Sequence, residues 1–315
     1  MNNDIVRRYR LQNVLHTFLL LAGMLFLLGL VGWLLYGVVG IIWAISTGLI
    51  LLTTASRFSP KIILYLYRAQ RITSEQLKPL PEILEWLAGH SGLSKTPQLY
   101  YIPSRTMLAF SVGMTGETAV GVSHGLIQQL NGREMAGVLA HEISHIHSHD
   151  LWVMAMADAI SRITSLMALT AYLMVLLYLP LILLEDTSVP WSLLFILMFA
   201  PNISALMQLA LSRTREFHAD MQAVQLTGDP QGLISALTKI EHYQKTWIEQ
   251  LLLPSMRVPY PSLLRTHPIT EQRIERLRKM EQHPHSALLR EQAIEHNHPE
   301  ASQRAPRRHI SGLWH

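Results

Sequence analysis

Two histidines four residues apart flank a glutamate in the segment His141-Glu142-Ile143-Ser144-His145, and this arrangement can hold a metal ion and activate water. Apolar residues around the segment recur at helical spacing, which predicts a helix. Residues four apart share one face of a helix, so both imidazoles can point at one ion with Glu142 beside it. Zinc accepts neutral nitrogen ligands, and hydrolysis needs a carboxylate next to the activated water. The spacing therefore predicts a zinc site on His141 and His145, with Glu142 as catalytic base.

A third ligand has to come from elsewhere, because catalytic zinc takes three protein ligands and keeps one position open. The segment 213–220 offers Glu216 as that ligand, with Asp220 four residues later on the same helical face. A carboxylate there can accept the free ring N–H of a zinc-bound histidine. His149 is a competing candidate, because it extends the motif helix and shares a face with His145. We favour Glu216, since it comes from a separate segment, and predict one Zn2+ per chain.

Long uncharged stretches predict that the chain crosses a membrane. No Asp, Glu, Lys or Arg occurs between Arg10 and Arg57, which is room for two passes of about 20 residues with a tight turn at 36–40. Residues 163–184 and 187–212 form a second uncharged pair. Two passes between the histidine motif and Glu216 return the chain to the side it left, so all three ligands can meet. We therefore predict four transmembrane helices.

The distribution of basic residues predicts which way the site faces. The connection between the second pair of passes carries only Glu185 and Asp186, whereas the ends of the passes on the side of the site are basic. Because basic flanks stay in the cytoplasm, we expect the active site to face the cytoplasm. The basic residues on that side are Arg7, Arg8, Arg10, Arg57, Lys61, Arg68, Arg71, Arg162, Arg213 and Arg215.

The composition of the chain limits which kinds of molecule it is expected to bind. The net charge of +4 comes from residues that flank membrane segments, so the lipid bilayer is the expected partner and nucleic acid is not. The chain contains no cysteine, which excludes disulfides, thiolate ligands and cysteine nucleophiles.

The soluble part is predicted to mix helices and short strands. Strands are expected at 98–102, 109–112 and 118–122, and one near the zinc helix can pair with an extended peptide substrate. His267, in Thr266-His267-Pro268, can donate to the oxyanion of a tetrahedral intermediate as a catalytic residue, or simply cap or pack; both readings stay open.

The chain from 282 onwards is polar and rich in histidine, which predicts a mobile, non-catalytic tail. Helices are expected at 74–92, with Leu77, Ile83, Leu84 and Leu87 as its apolar stripe, at 230–253 and at 271–277.

These motifs resemble those of the HtpX-like membrane zinc metallopeptidases, relatives of the CAAX prenyl proteases. The resemblance rests on the histidine motif ending in Asp150, on 215–220, on 266–268 and on the layout of the passes. It implies a zinc endopeptidase of a bacterial inner membrane that cleaves misfolded or damaged membrane proteins, in quality control and the stress response. One departure is Leu108, which stands where the family often has an asparagine that holds the substrate backbone, so holding by a side-chain amide is not expected.

The predicted fold class is therefore mainly α and integral to the membrane. It combines four transmembrane helices with a cytoplasmic α+β zincin-like catalytic domain assembled from two segments. The expected divisions are a cytoplasmic N-terminus (1–13), transmembrane hairpin 1 (14–55), the first catalytic part (57–160), transmembrane hairpin 2 (163–212), the second catalytic part (213–280) and the tail (281–315).

Three other functions fit the sequence less well. A CAAX-type processing protease fits less well, because four passes are too few for its large membrane chamber. A non-catalytic zinc-stabilised scaffold would not need Glu142, and a transporter would need charged residues inside the passes. The expected substrates are membrane proteins or unfolded polypeptides, while homo-oligomers and quality-control partners stay open.

Overall fold

The computed structural model describes residues 3–57, 60–72, 77, 79–113, 117–184, 191–251 and 270–281. These residues fold mostly into helices, with one small four-stranded sheet. The helices are α1 (Asn3–Arg57), α2 (Pro60–Leu66), α3 (Pro79–Ser91), α4 (His124–Gln129), α5 (Gly132–His147), α6 (Asp150–Leu184), α7 (Trp191–Thr227), α8 (Pro230–Leu251) and α9 (Thr270–Glu281). The strands are β1 (Gln70–Arg71), β2 (Gln98–Ile102), β3 (Ala109–Val112) and β4 (Ala119–Ser123).

Three helices in the described part of the chain, α1, α6 and α7, are long and apolar enough to cross a membrane. Large apolar side chains point away from the protein along them; Phe26 is 73% exposed and Leu177 is 75% exposed. Exposed apolar surface on this scale is rare in water but is what a bilayer covers. The three helices pack together around two apolar clusters centred on Met24 and Val31 of α1.

Helix α1 is folded back on itself near its middle. A straight helix of 55 residues would be about 80 Å long, far more than the hydrocarbon core needs. The backbone leaves helical geometry at Tyr36 and at Gly37, whose φ of 59° is easy only for glycine. Beyond the turn, Gly40 lies so close to Gly32 that a Cβ there would overlap its carbonyl oxygen. The turn lies within the predicted segment 36–40, and the count of four passes stays a prediction supported by this fold.

Helices α6 and α7 run antiparallel. The hydroxyl of Tyr172 donates to the carbonyl of Leu197 at 3.2 Å, and Gln208 Nε2 lies 3.5 Å from Asp158 Oδ1. Residue numbers thus rise along α6 where they fall along α7. Both helices extend past the uncharged segments, so the chain enters α6 at Asp150 and leaves α7 at the same end of the pair.

The small sheet has the strand order β1-β2-β4-β3. Strands β2 and β4 are parallel, and the two outer pairings are antiparallel. The observed β2 and β3 have the predicted bounds, and β4 is shifted by one residue. Helices α3 and α5 share the main apolar core with β2 and β4. Helix α2 packs with a second apolar cluster that includes Phe110. Strand β3 lies at the edge of the sheet and contacts α5.

The predicted helix at 74–92 is shorter in the structure. Its described part begins at Pro79, a residue suited to the first turn of a helix. Leu77 precedes the helix with a left-handed φ of 55° and is 43% exposed, so its place in the apolar stripe was wrong. Leu84 and Leu87 are buried as expected. Helix α9 is longer than the predicted 271–277, and α8 begins at Pro230 as predicted.

Candidate metal centre

Helix α5 carries the histidine motif into the core. Asn131 caps its first turn by accepting from the backbone of Glu134, whose carboxylate accepts in return from the backbone of Asn131. One turn from the other end of the helix, His141 and His145 bring their Nε2 atoms within 3.1 Å of each other. Glu142 follows His141 on the same helix and is buried beside it. The predicted spacing therefore places the two imidazoles together.

Helix α7 brings Glu216 to the same point from a position 71 residues along the chain from His145. Its Oε2 lies 3.4 Å from His141 Nε2, and its Oε1 lies 3.7 Å from His145 Nε2. The three potential ligand atoms all lie within 4.8 Å of one another. The side chains are buried, with His145 the most exposed at 13%. The group could hold a metal ion.

A carboxylate and a guanidinium stand behind His141. Asp220, one turn after Glu216, places Oδ1 3.0 Å from His141 Nδ1, which is the position that the sequence predicts for it. Arg273 of α9 donates to both oxygens of Asp220, at 2.7 Å from Nε and 2.6 Å from Nη2. Its Nη1 also lies 3.1 Å from Glu216 Oε2. Two helices that follow α6 in the chain, α7 and α9, therefore bring side chains to the centre.

A parallel arrangement stands behind His145, and sequence reasoning missed it. His145 Nδ1 lies 2.9 Å from Asp150 Oδ2, and Arg215 donates from Nη1 to Asp150 Oδ1 at 2.8 Å. The other nitrogen of that guanidinium, Nη2, donates to the hydroxyl of Thr17 on α1 at 2.8 Å. The sequence did mark Asp150 as the residue that ends the histidine motif. Its pairing with Arg215 could not be predicted, because that pairing depends on how α6 packs against α7.

The donor set fits zinc. Ionised carboxylates only accept hydrogen bonds, so the Nδ1 atoms of His141 and His145 carry the hydrogens. Their Nε2 lone pairs then face each other beside the carboxylate of Glu216. Three electron-pair donors that converge in a buried site repel one another unless a proton or a metal ion lies among them. Two imidazoles and one carboxylate are a common ligand set for catalytic zinc.

The same convergence controls protonation. Burial and the charge of Arg273 oppose a proton on His141, but its contacts with Asp220 and Glu216 outweigh them and raise the pKa of His141 to about 10. Burial also opposes a proton on His145, and its hydrogen-bonded carboxylate raises the pKa of His145 above the usual range. The surroundings of both histidines therefore favour a positive charge at this site. Metal binding therefore displaces a proton at neutral pH and weakens in acid.

Among the described residues, His149 does not join the centre. Helix α5 ends at His147, and His149 takes a left-handed φ of 55° with its Nδ1 3.3 Å from the carbonyl of Ile146. The interpretation of His149 as an extension of the motif helix was therefore wrong. His267 and the histidines of the tail lie outside the described residues. Leu108 pairs through its backbone with Ser123, whose Oγ accepts from Leu108 N at 2.9 Å.

Together, a helix-borne His–Glu–x–x–His motif, a carboxylate from a second helix and membrane-spanning helices that end at the site define the class of membrane metallopeptidases. The chain matches Peptidase family M48 over residues 74–281 and belongs to that family, whose members are zinc metallopeptidases. The chain is therefore a membrane metalloprotease.

Three curated relatives match this chain along almost their full length. A protease HtpX homolog of Thermococcus sibiricus is 32% identical over 279 residues, covering 84% of this chain and 95% of the relative. The homologs of Pyrococcus abyssi and Ralstonia pickettii are 34% and 30% identical, covering 84% and 86% of this chain and 95% and 97% of the relatives. The crystal structure of S. mikatae Ste24p aligns with 86% of this chain and 66% of its own, at 18% identity and a TM-score of 0.47.

Proposed function

We propose that this protein is a zinc-dependent endopeptidase that cleaves misfolded or damaged membrane proteins on the cytoplasmic side of the membrane, in quality control and the stress response. The observation that carries the proposal is the convergence of His141, His145 and Glu216 beside Glu142, where α6 begins and α7 leaves the membrane pair. The homologs named above support it, because they are described as proteases. Within this proposal, hairpins 14–55 and 163–212 form the membrane part, and 57–160 and 213–280 form the catalytic part.

In this proposal His141, His145 and Glu216 hold one zinc ion and Glu142 is the catalytic base. When bound, zinc supplies a Lewis acid that polarises a carbonyl oxygen and lowers the pKa of water to about 7. The buried carboxylate of Glu142 takes a proton from the attacking water and then delivers it to the leaving amine. Asp220 and Asp150 hold the Nδ1 protons of the two histidines, which keeps Nε2 free for the ion.

The edge of the sheet gives a place for the substrate. Strand β3 is the outermost strand on its side of the described sheet, and it contacts α5. An extended polypeptide can add to such an edge through backbone hydrogen bonds, which needs no particular side chains. This mode suits unfolded substrates of varied sequence. It also suits a chain that has Leu108 in place of an amide just before the strand.

The test uses protein purified in detergent without metal, because self-cleavage during preparation is a risk. Zinc is added, and cleavage of casein is followed for the native protein, Glu142→Gln and a matched exposed control, Glu85→Gln. We expect zinc-dependent cleavage that Glu142→Gln loses by about 10²- to 10⁴-fold while zinc stays bound. Cleavage retained by Glu142→Gln would overturn its role. Stoichiometric zinc without any cleavage by the native protein would favour a narrow processing protease or a scaffold.

The orientation has its own test, which the absence of cysteine makes simple. Lys95→Cys places one thiol at an exposed position of the catalytic part, and Thr187→Cys places one in the opposite connection. In intact cells, a membrane-impermeant maleimide should label the second variant and spare the first. Labelling in the reverse pattern would place the catalytic part outside the cytoplasm.

A further inference from the structure

Each histidine of the metal centre is held from behind by a carboxylate and an arginine. One of these two sets of contacts reaches into the membrane part of the protein. Behind His141, the chain of contacts ends at Arg273, which bonds only to residues of the centre among its described hydrogen bonds. Behind His145, the chain of contacts runs through Asp150 and Arg215 to Thr17, on the first arm of α1 (residues 3–35, before the turn at Tyr36 and Gly37). The two histidines are therefore supported in the same manner but from different parts of the molecule.

The geometry of Arg215 is that of a fork between two helices. Its Nη1 donates to Asp150 at the first residue of α6, and its Nη2 donates to Thr17 of α1, both at 2.8 Å. The three side chains are largely enclosed: Asp150 is 3% exposed, Thr17 is 7% exposed and Arg215 is 13% exposed. A planar guanidinium fixes both partners at once, because its nitrogens cannot move independently. Movement of the first arm of α1 therefore changes how Arg215 holds Asp150.

Asp150 in turn fixes the ring of a metal ligand. Its second oxygen, Oδ2, accepts from His145 Nδ1 at 2.9 Å, which sets the tautomer and the direction of Nε2. The two oxygens of Asp150 are thus engaged by Arg215 on one side and by His145 on the other. Rotation of this carboxylate would break one bond or the other.

We propose that Arg215 is a positioning residue that couples the first membrane arm to the metal centre, so that metal affinity depends on the contact between Arg215 and Thr17. The proposal rests on the proposed zinc site. It differs from a purely structural role for the Arg215–Thr17 contact, in which the contact would join α1 to α7 without affecting the metal.

The experiment measures the zinc dissociation constant by chelator competition on the full chain in detergent, together with the absorption spectrum of the cobalt-substituted protein. Arg215→Met should weaken zinc binding by about 10-fold, the lower end of the range for losing the direct partner of a metal-ligating histidine, because Asp150 still accepts from His145. Arg215→Lys should recover part of that loss, because one ammonium can reach one partner but not hold both. The cobalt spectrum should shift in Arg215→Met, since the direction of a ligand changes.

Thr17→Val gives the sharper test, because it removes one hydroxyl and keeps the shape of the side chain. We expect zinc binding to weaken several-fold, Thr17→Ser to behave like the native protein, and Thr17→Val to add nothing in the Arg215→Met background. Thr164→Val is the matched control: it is also a buried threonine, but its hydroxyl bonds to the carbonyl of Ile160 in its own helix.

The outcomes separate this inference from the proposed function. If the native protein binds no zinc, the zinc site itself is wrong. If the native protein binds zinc and Thr17→Val and Arg215→Met bind it equally well with an unchanged cobalt spectrum, the coupling is overturned and Arg215 only joins helices. Equal losses in Thr17→Val and Thr164→Val would overturn it too, since they would report general loosening of the membrane bundle.

Discussion

The two ends of helix α5 both bury charge, but they do so in opposite ways. Near the first end, each oxygen of Glu134 has a donor: Oε1 accepts from Ser235 at 2.6 Å, and Oε2 accepts from Lys239 at 2.7 Å and from the backbone of Asn131 at 2.9 Å. Near the last end, the Nε2 atoms of His141 and His145 face each other instead. At the Glu134 end, hydrogen-bond donors meet a carboxylate that accepts. At the histidine end, two nitrogen atoms that can each supply a lone pair meet one another.

The difference shows how one helix can serve folding and chemistry. A buried carboxylate with all its hydrogen bonds made joins α5 to α8 and leaves nothing for a ligand to do. Converging lone pairs stabilise nothing by themselves and need a cation. Substitutions at the Glu134 end should therefore change stability, and substitutions at the histidine end should change metal binding and activity.

The largest expected effect is the loss of a ligand. His145→Ala should remove stoichiometric zinc and reduce cleavage by about 10³-fold or more, because a metal Lewis acid contributes several kcal/mol to lowering the barrier. His149→Ala is the control, since His149 lies beyond the end of α5 and outside the cluster. Zinc content by atomic absorption and casein cleavage measure both. Loss of zinc in His149→Ala would restore the competing ligand set.

Removing a support should have a smaller effect than removing a ligand. Asp220→Asn should weaken zinc binding by about 10- to 100-fold, since an amide no longer fixes the proton on His141 Nδ1 and removes one of the two carboxylates that pair with Arg273. Asp229→Asn is the control near the opposite end of α5, where Asp229 pairs with the largely exposed Arg133. Chelator competition measures the zinc dissociation constant. Equal affinities for the two variants would mean that Asp220 does not support the site.

At the first end of α5, Glu134→Gln should lower the free energy of unfolding by about 1–3 kcal/mol at pH 7 and leave zinc affinity unchanged. Burial opposes the charge on Glu134, but the bonds from Lys239, Ser235 and Asn131 outweigh it and hold its pKa below the ordinary 4.5. The carboxylate therefore stabilises the fold above pH 4.5, and this contribution is lost as the pH falls through the lower pKa of the folded state. Denaturant unfolding in detergent at pH 7 and at pH 4 measures the penalty.

The penalty of Glu134→Gln should accordingly be smaller at pH 4 than at pH 7. A penalty that grew in acid would contradict the assignment of the charge. A loss of zinc affinity in the same variant would contradict the separation between the two ends of the helix.

The sequence could predict the residues that share one helix but not those that meet across helices. The spacing of four placed His141 with His145, and Glu216 with Asp220, because a helix fixes which side chains share a face. Arg215 and Asp150 meet only because α6 and α7 are antiparallel, and no local pattern records that register. His149 was misplaced because periodicity says little about where a helix ends when neither glycine nor proline marks the end. At the start of α3 a signal was present, because Pro79 suits the first turn of a helix, and the predicted apolar stripe began too early at Leu77.

The smallest expected effect lies between the two ends, at Gly137. A Cβ there would lie 3.1 Å from the backbone of Leu233 in α8, which has little room to move. Alanine would gain up to about 1 kcal/mol of helix propensity and lose somewhat more to the displaced backbone, so Gly137→Ala should lower stability slightly. Gly132→Ala is the control, since a Cβ at that first residue of α5 meets nothing within 4 Å and should be neutral or slightly stabilising. Urea unfolding and zinc affinity are measured on both variants. A zinc affinity that fell in Gly137→Ala would show that α5 transmits a shift at α8 to its histidines, and the two ends would then have to be treated as one unit.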